Sequence, residues 1–336
     1  LANGKYLAYI RIPNTHNLLP FTPVPEANAW SIRLYDVAKN TATEIWKATP
    51  GKGSAFVDNI SVAKKLLWWA GSALVFPYEK DGWVHLYSLN VENGTTRLLT
   101  PGNGEVENVT ISPNGKTIYY TSNITDIERR HLWKVDVATG TQQILTKGKG
   151  IEWSPVVVEN GVAFLHSSAT KPPWPAVLQN EVITDLGAEL FPKNFPQTLV
   201  QPKVIMIKAT DGMQVPAQLF LPPNHNPTKK YPALLFLHGG SKRQMLPGFH
   251  YGQYYSNAYA LNQYFAAQGY VVLSLNYRSG IGYGLAFREA ANYGIAGASE
   301  VKDLIGAGLY LKSRTDVDAT KIALWGASYG GYLTAH

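Results

Sequence analysis

The stretch TKIALWGASYGGYLTAH, residues 320–336, decides how the whole chain reads. Ile322, Ala323, Leu324 and Trp325 form an apolar run of the kind that fills a parallel sheet covered on both faces. Gly326-Ala327-Ser328-Tyr329-Gly330 follows with the spacing G-x-S-x-G, and Tyr332-Leu333-Thr334-Ala335 reads as helix. Strand, glycine-flanked serine and helix, in that order, are what a nucleophile elbow requires. The serine sits on a sharp turn, where side chains two residues to either side would strike neighbouring backbone. The following helix aims its first amides at the site, so the Tyr329 amide can stabilise a developing oxyanion. A tight turn with an idle serine is the alternative, because glycine supplies 30 of the 336 residues. The surrounding sequence has to separate the two.

Composition narrows the field first. The chain exceeds an ordinary single domain, which predicts two domains. At 45% hydrophobic and 16% charged it is globular in character rather than disordered. Thirty basic against 23 acidic residues give a net charge of +7. The basic residues come as scattered pairs, such as Arg129-Arg130, Lys229-Lys230 and Lys242-Arg243, and read as solvated surface rather than a nucleic-acid stripe. Cysteine is absent, which excludes disulfides, thiol catalysis and thiolate metal sites. The eight histidines show no H-E-x-x-H pattern, and no apolar run has the length of a membrane span. No metal, cofactor, nucleic acid or membrane span is expected. Localisation and oligomeric state stay open, a homo-oligomer of the complete protein included.

The first 170 or so residues repeat. Closing threonines fall at Thr49, Thr100 and Thr146, and turn glycines at Gly71, Gly115 and Gly161. A period of about 40 to 50 residues, with several short alternating strands per unit, predicts propeller blades. Within the units, VENG (residues 91–94) and VATG (residues 137–140) supply hairpin turns. A sandwich of irregular hairpins is the alternative, but it does not require a constant period.

The rhythm then breaks. ATKPPWPAVL and LFPKNFPQTLVQP are proline-rich, so residues 171–200 are expected to connect two domains. Beyond them, KVIMIKATDGMQVPAQLFLP reads as two strands about an Asp211-Gly212 turn. A buried strand in YPALLFLHGG, a helix in YSNAYALNQYFAAQG and a strand in GYVVLSLNYRSG come next. The helix in SEVKDLIGAGLYLKSR is expected to bury Val301, Leu304, Ile305, Gly308 and Leu309. Strands alternating with helices predict a parallel α/β sheet, here preceded by an antiparallel hairpin.

That order, ending in the serine turn and with His-Gly-Gly after the third strand, is similar to the start of an α/β-hydrolase domain. With repeats in front, the chain resembles the prolyl oligopeptidase family of serine peptidases, in particular its bacterial dipeptidyl peptidase and acylaminoacyl peptidase branch. DGWVHLYSL, ERRHLW, HGGSKRQM, NYRSGIGYG, GASE and WGASYGGY carry the likeness, which extends over nearly the whole chain. It implies a partial β-propeller over residues 1–170 and the N-terminal part of a catalytic α/β-hydrolase domain over 201–336. It also implies a chain truncated at both ends.

Carried over by position, Ser328 resembles the nucleophile and the Tyr329 amide one oxyanion donor. The turn at His238, Gly239 and Gly240 is similar to the segment that supplies the second donor. In dipeptidyl-peptidase relatives a tyrosine hydroxyl does this at about the place of His238, so an amide of Gly239 or Gly240 is expected here. His238 itself either borders the site or only orders its loop. Arg278 either anchors a loop beside the active site or touches substrate, and the anchor is favoured because an arginine fork satisfies several acceptors. Glu105, Glu107 and the Arg129-Arg130-His131 run read as blade surface or intrablade pairs. No adjacent glutamate pair of the kind that grips a free amino terminus in dipeptidyl peptidases occurs, which leaves exopeptidase specificity open.

A serine hydrolase of this kind runs Ser, then Asp or Glu, then His along the chain. His336 is the one histidine after Ser328, and a helical rise of about 1.5 Å per residue puts it too far away to take the serine proton. His238 with Asp303 would need another order. The acid and base are therefore expected outside these residues. The expected activity is hydrolysis of oligopeptides through an acyl-enzyme. An esterase and a non-catalytic peptide-binding protein are the alternatives.

Overall fold

The computed structural model describes residues 4–13, 29–51, 53–56 and 66–336; other parts of the expected blades lie outside the described residues. Four small antiparallel sheets come first. The first holds β1 (Tyr6–Arg11), β2 (Ser31–Asp36) and β3 (Thr41–Lys47). The second holds β4 (Trp68–Ala70), β5 (Ala73–Tyr78), β6 (His85–Asn90) and β7 (Thr96–Leu98). The third comprises β8 (Val106–Ile111), β9 (Thr117–Ser122), β10 (His131–Asp136) and β11 (Gln142–Ile144). The fourth comprises β12 (Ile151–Val158), β13 (Gly161–Ser167), β14 (Trp174–Gln179) and β15 (Val182–Asp185). Its last two strands occupy residues that sequence composition had suggested for the interdomain connection.

The repeat has a local chemical basis. Asp36, Asn90 and Asp136 each end a strand and turn a side-chain oxygen onto amides two or three residues ahead. An Asx turn of this kind starts the hairpin, and Gly94 and Gly140 at φ 72° and 76° complete two of them. The closing threonines recur for a second reason. Thr100 Oγ1 accepts the Leu86 amide at 2.8 Å, and Thr146 Oγ1 accepts the Leu132 amide at 2.8 Å. Each sheet then packs on the next through large apolar side chains. Trp30 and Ile32 meet Leu74 and Phe76, and Val75 and Leu86 meet Ile118 and Val135.

Beyond them lies one five-stranded sheet: β16 (Lys203–Lys208), β17 (Gln214–Phe220), β18 (Tyr231–Leu237), β19 (Val271–Leu275) and β20 (Val317–Gly326), in the order β16-β17-β19-β18-β20. β18 pairs in parallel with both β19 and β20, while β16 and β17 form the expected antiparallel hairpin about Gly212, φ 92°. Helices α1 (Gln253–Ala267), α2 (Leu285–Arg288), α3 (Glu300–Ser313) and α4 (Tyr329–Ala335) complete this part. β18 and β19 are apolar and buried, as strands inside an α/β sheet must be.

Among the described residues β20 has a strand partner on one side only, and Leu324 is 43% exposed. One expectation needs correction in part: of the apolar face read for helix α3, Leu304 is buried and Val301 packs on the core, but the inward face is rotated toward polar and small residues. Ile305 and Leu309 are exposed, while Glu300, Asp303, Gly306 and Ala307 are buried. The small pair lets α3 approach β16, since a Cβ on Gly306 would lie 2.5 Å from the Lys208 carbonyl oxygen. The two buried carboxylates are taken up by loops of the candidate site. Among the described residues no helix is long and apolar enough to cross a membrane.

Candidate active site

Ser328 joins β20 to α4 with φ 56° and ψ −126°, a backbone state that a non-glycine residue adopts only when its surroundings enforce it. The enforcement comes from the end of β18. A Cβ on Gly326 would lie 2.6 Å from the Leu237 carbonyl oxygen, and one on Gly330 would lie 2.1 Å from the same atom. No side chain fits at either place, so the two glycines let the turn sit directly on the neighbouring strand. Gly330 N donates to Ala327 O at 3.0 Å and Tyr332 N to Ser328 O at 3.0 Å, which locks the turn into the first turn of α4.

The His238-Gly239-Gly240 segment leaves the end of β18 beside this serine. A Cβ on Gly239 would be 3.1 Å from Ser328 Cβ, 2.8 Å from Ala327 O and 3.0 Å from the Tyr255 hydroxyl. Among the described residues neither the Gly239 nor the Gly240 amide has an acceptor. Two amide donors therefore stand unused next to a strained serine. Tyr255, buried on α1, brings its hydroxyl to the same point, and this hydroxyl has no partner among the described residues. No motif marked Tyr255 in the sequence, because it sits on a helix well beyond the glycine turn.

His238 is fully buried, stacked on Tyr277 with ring centroids 4.2 Å apart. Its carbonyl accepts the Tyr277 hydroxyl at 2.6 Å. Burial, helped by the nearby Arg243 charge, lowers its pKa to about 3, so the ring is neutral at ordinary pH. The ring makes no bond to Ser328, and its Nδ1 lies 3.3 Å from the Gly239 carbonyl oxygen. The pairing of His238 with Asp303 does not occur. Asp303 instead faces Arg278.

Arg278 is held between two carboxylates. Its guanidinium donates to Asp303 at 2.6 Å and to both Asp211 oxygens at 2.8 and 2.9 Å, while its amide donates to Asp303 at 2.8 Å. The clamp ties the loop after β19 to α3 and to the β16–β17 turn, and keeps Asp211 ionised well below the usual carboxylate range. With every arm of the fork engaged, the anchoring reading has the geometry behind it. Glu300 does comparable work nearer the serine. It accepts from Ser279 Oγ at 2.8 Å, from the Tyr329 hydroxyl at 2.9 Å and from the Gly294 amide at 3.1 Å. Its only trace in the sequence is the tetrapeptide GASE, which gives no hint of three simultaneous bonds.

The antiparallel sheets reach this region through buried polar side chains, among them Glu105 and Glu107, which sequence reading had set on a blade surface, while Arg130 pairs with Glu107 beside its own sheet as the intrablade alternative had it. Glu105 and Glu107 are 3% and 1% exposed. Glu105 accepts the Gly282 amide at 3.1 Å, and Arg130, fully buried, binds Glu107 at 3.0 Å and Gln244 Oε1 at 2.7 Å. Arg288 grips both oxygens of Glu79 at 2.7 and 2.6 Å. Glu128 accepts the Tyr283 hydroxyl at 2.9 Å. Alternation along a strand tells which residues share a face, not whether that face meets another domain. Burial raises the carboxyls of Glu105 and Glu128 to about 7 each.

Small antiparallel sheets set on an α/β-hydrolase-type sheet, with a glycine-flanked serine at the join of strand and helix, define the class. Residues 257–336 match the prolyl oligopeptidase family, and residues 26–175 match the dipeptidyl peptidase IV N-terminal region. Both stretches of the chain are thus similar to parts of prolyl oligopeptidase-family proteins. It is 34% identical over 134 residues to dipeptidyl peptidase 8 of Homo sapiens, covering 40% of this chain and 14% of that protein. It is 28% identical over 270 residues to "Probable dipeptidyl-aminopeptidase B" of Aspergillus terreus, covering 76% of this chain and 28% of the relative. In fold, it is similar to a Mycobacterium tuberculosis puromycin-hydrolyzing peptidase, with a TM-score of 0.76 at 18% identity, covering 99% of this chain and 49% of that one. Porphyromonas gingivalis dipeptidyl peptidase 4 gives a TM-score of 0.66 at 21% identity, covering 99% and 56%. The chain thus spans about half the length of these solved structures and under a third of these two curated relatives.

Proposed function

We propose that the complete protein is a serine peptidase that hydrolyses oligopeptides through an acyl-enzyme. The observation that carries this reading is the strained Ser328 backbone packed against a His-Gly-Gly turn whose two glycine amides have no acceptor among the described residues. In the proposed reaction Ser328 Oγ attacks the scissile carbonyl carbon while a histidine takes its proton. The carbonyl oxygen becomes an oxyanion that accepts from the Tyr329 amide and from Gly239 or Gly240. Collapse breaks the C–N bond, the histidine returns the proton to the departing amine, and water then hydrolyses the ester by the same steps in reverse order.

We assign the base and its carboxylate to residues of the complete protein outside this chain. Four described histidines support this by being engaged elsewhere, His131 with Glu152, His166 with Asp185, His225 with Asp316 and His250 with Gln244, and His238 is buried against Tyr277. We read the antiparallel sheets as blades of a propeller that stands over the catalytic part, with residues near 186–202 as the connection to it. Names of relatives such as dipeptidyl peptidase and puromycin hydrolase favour short peptide or aminoacyl-amide substrates.

The test is labelling of the complete protein with a fluorophosphonate probe, with peptide hydrolysis measured alongside. Ser328→Ala is expected to abolish labelling and to lower the hydrolysis rate by several orders of magnitude, since loss of a triad nucleophile leaves only binding and oxyanion effects. Retention of a few per cent of the activity in this variant would assign the nucleophile to another residue.

A further inference from the structure

Arg243 follows the His-Gly-Gly turn closely and differs from the other arginines of the catalytic part. Arg278, Arg288 and Arg314 each face a carboxylate, from Asp303, Glu79 and Asp316 respectively. Arg243 faces none among the described residues, although its sequence pairing with Lys242 had suggested solvated surface. It is half-buried, and its Nε is fully buried with no hydrogen-bond partner. Its guanidinium carbon lies 4.1 Å from the centroid of the Tyr255 ring, so a flat aromatic face fixes where the charge sits. That same tyrosine carries the hydroxyl beside Gly239 and Ser328. The charge is felt locally, for it adds to burial, the larger cause, in lowering the basicity of both His238 and His250.

A partly desolvated cation without a counter-charge is an unfinished arrangement, because a buried donor left unpaired costs free energy that a ligand can return. The planar guanidinium fork suits a carboxylate better than any other group of a peptide. Resting on the peptidase reading of Ser328, we infer that Arg243, braced on Tyr255, receives a carboxylate of the peptide substrate close to the scissile bond. The protein would then prefer peptides with an acidic side chain near the cleavage point, or short peptides whose own C-terminal carboxylate falls there.

Matched peptides separate these sources. One pair differs by Glu against Gln at each position flanking the cleaved bond, and a second pair by a free against an amidated C-terminus. In the complete protein one pair is expected to show a kcat/KM ratio of about 10 to 100 in favour of the carboxylate, the range for a hydrogen-bonded charge. In Arg243→Gln that ratio is expected to fall to near unity, and in Arg243→Lys to an intermediate value. The readout is a ratio within one variant, which general loss of fold or nucleophile leaves unmoved, and thermal melts check folding independently. An active parent with no preference in either pair overturns the inference, as would a carboxylate from elsewhere in the protein that already occupies Arg243. A preference that survives in Arg243→Gln also overturns it. Absence of any peptide hydrolysis by the parent sinks the peptidase reading itself, and this inference with it.

Discussion

At Ser328 the chain accepts a backbone conformation that costs about 1–3 kcal/mol and holds it with contacts that admit only glycine on either side. Gly239 is the third member of this arrangement, because its missing side chain leaves the space between Ser328, Ala327 O and the Tyr255 hydroxyl. Gly239→Ala would fill that space at contacts of 2.8 to 3.1 Å. It is expected to lower kcat/KM about 100-fold or more while costing about 1–3 kcal/mol of stability. Fluorophosphonate labelling rates beside a thermal melt would check both; unchanged labelling would argue against this turn as part of the site. These residues were legible in the sequence because glycine at fixed spacing answers a steric demand. Tyr255 and Arg243 were not, since a side chain that arrives from a separate helix or loop leaves no spacing to read.

Among elements, α3 illustrates how polar burial defeats periodicity. Its inward face is set by close approach at Gly306 and by two carboxylates, while apolar Ile305 and Leu309 face outward. Hydrophobic spacing alone finds Leu304 but rotates the stripe too far, because it has no way to count a buried glutamate as interior. Glu300 is interior for a reason: three donors from two loops and from the residue after Ser328 converge on it. Glu300→Ala is expected to cost about 3 kcal/mol, the order of one or two hydrogen bonds to a charged group. It should also slow labelling of Ser328. A melt and a labelling rate both unchanged would contradict the role given to this side chain. The strand hairpins, by contrast, were readable from their Asn, Asp and Gly turns, because such turns are local and carry their own chemistry.

For the whole molecule, the contact between the antiparallel sheets and the α/β part rests on charges shielded from water. Glu79 and Arg288 are 2% exposed each. Removing one partner leaves the other charged and buried, so Arg288→Met is expected to lose about 3–5 kcal/mol of stability. The double variant Glu79→Leu with Arg288→Met is expected to recover most of it, and a denaturant titration of the three proteins would measure the difference. Additive losses would mean that the pair is not coupled. The same contact is expected to respond to pH through Glu105. Its carboxyl is raised from 4.5 to about 7, chiefly by burial, so the folded state binds a proton that the unfolded state has released. Its contribution is full below about pH 4.5 and is lost as pH rises through about 7. The melting temperature should therefore decline across that window, and decline less in Glu105→Gln. An identical slope in the two proteins would rule the glutamate out as its source.

The bond from Arg130 to Gln244 reaches across the sheets to the residue next to Arg243, a few positions beyond the glycine turn. The two halves are consequently poor candidates for shuffling. An α/β part transplanted beneath foreign sheets would arrive with Gln244, Tyr283 and Arg288 addressed to partners that are not there. Natural drift meets the same obstacle, so positions such as 79 and 288 should change together in a lineage or stay as they are. Inheritance as a pair, rather than assembly from stock parts, is the history that this junction permits.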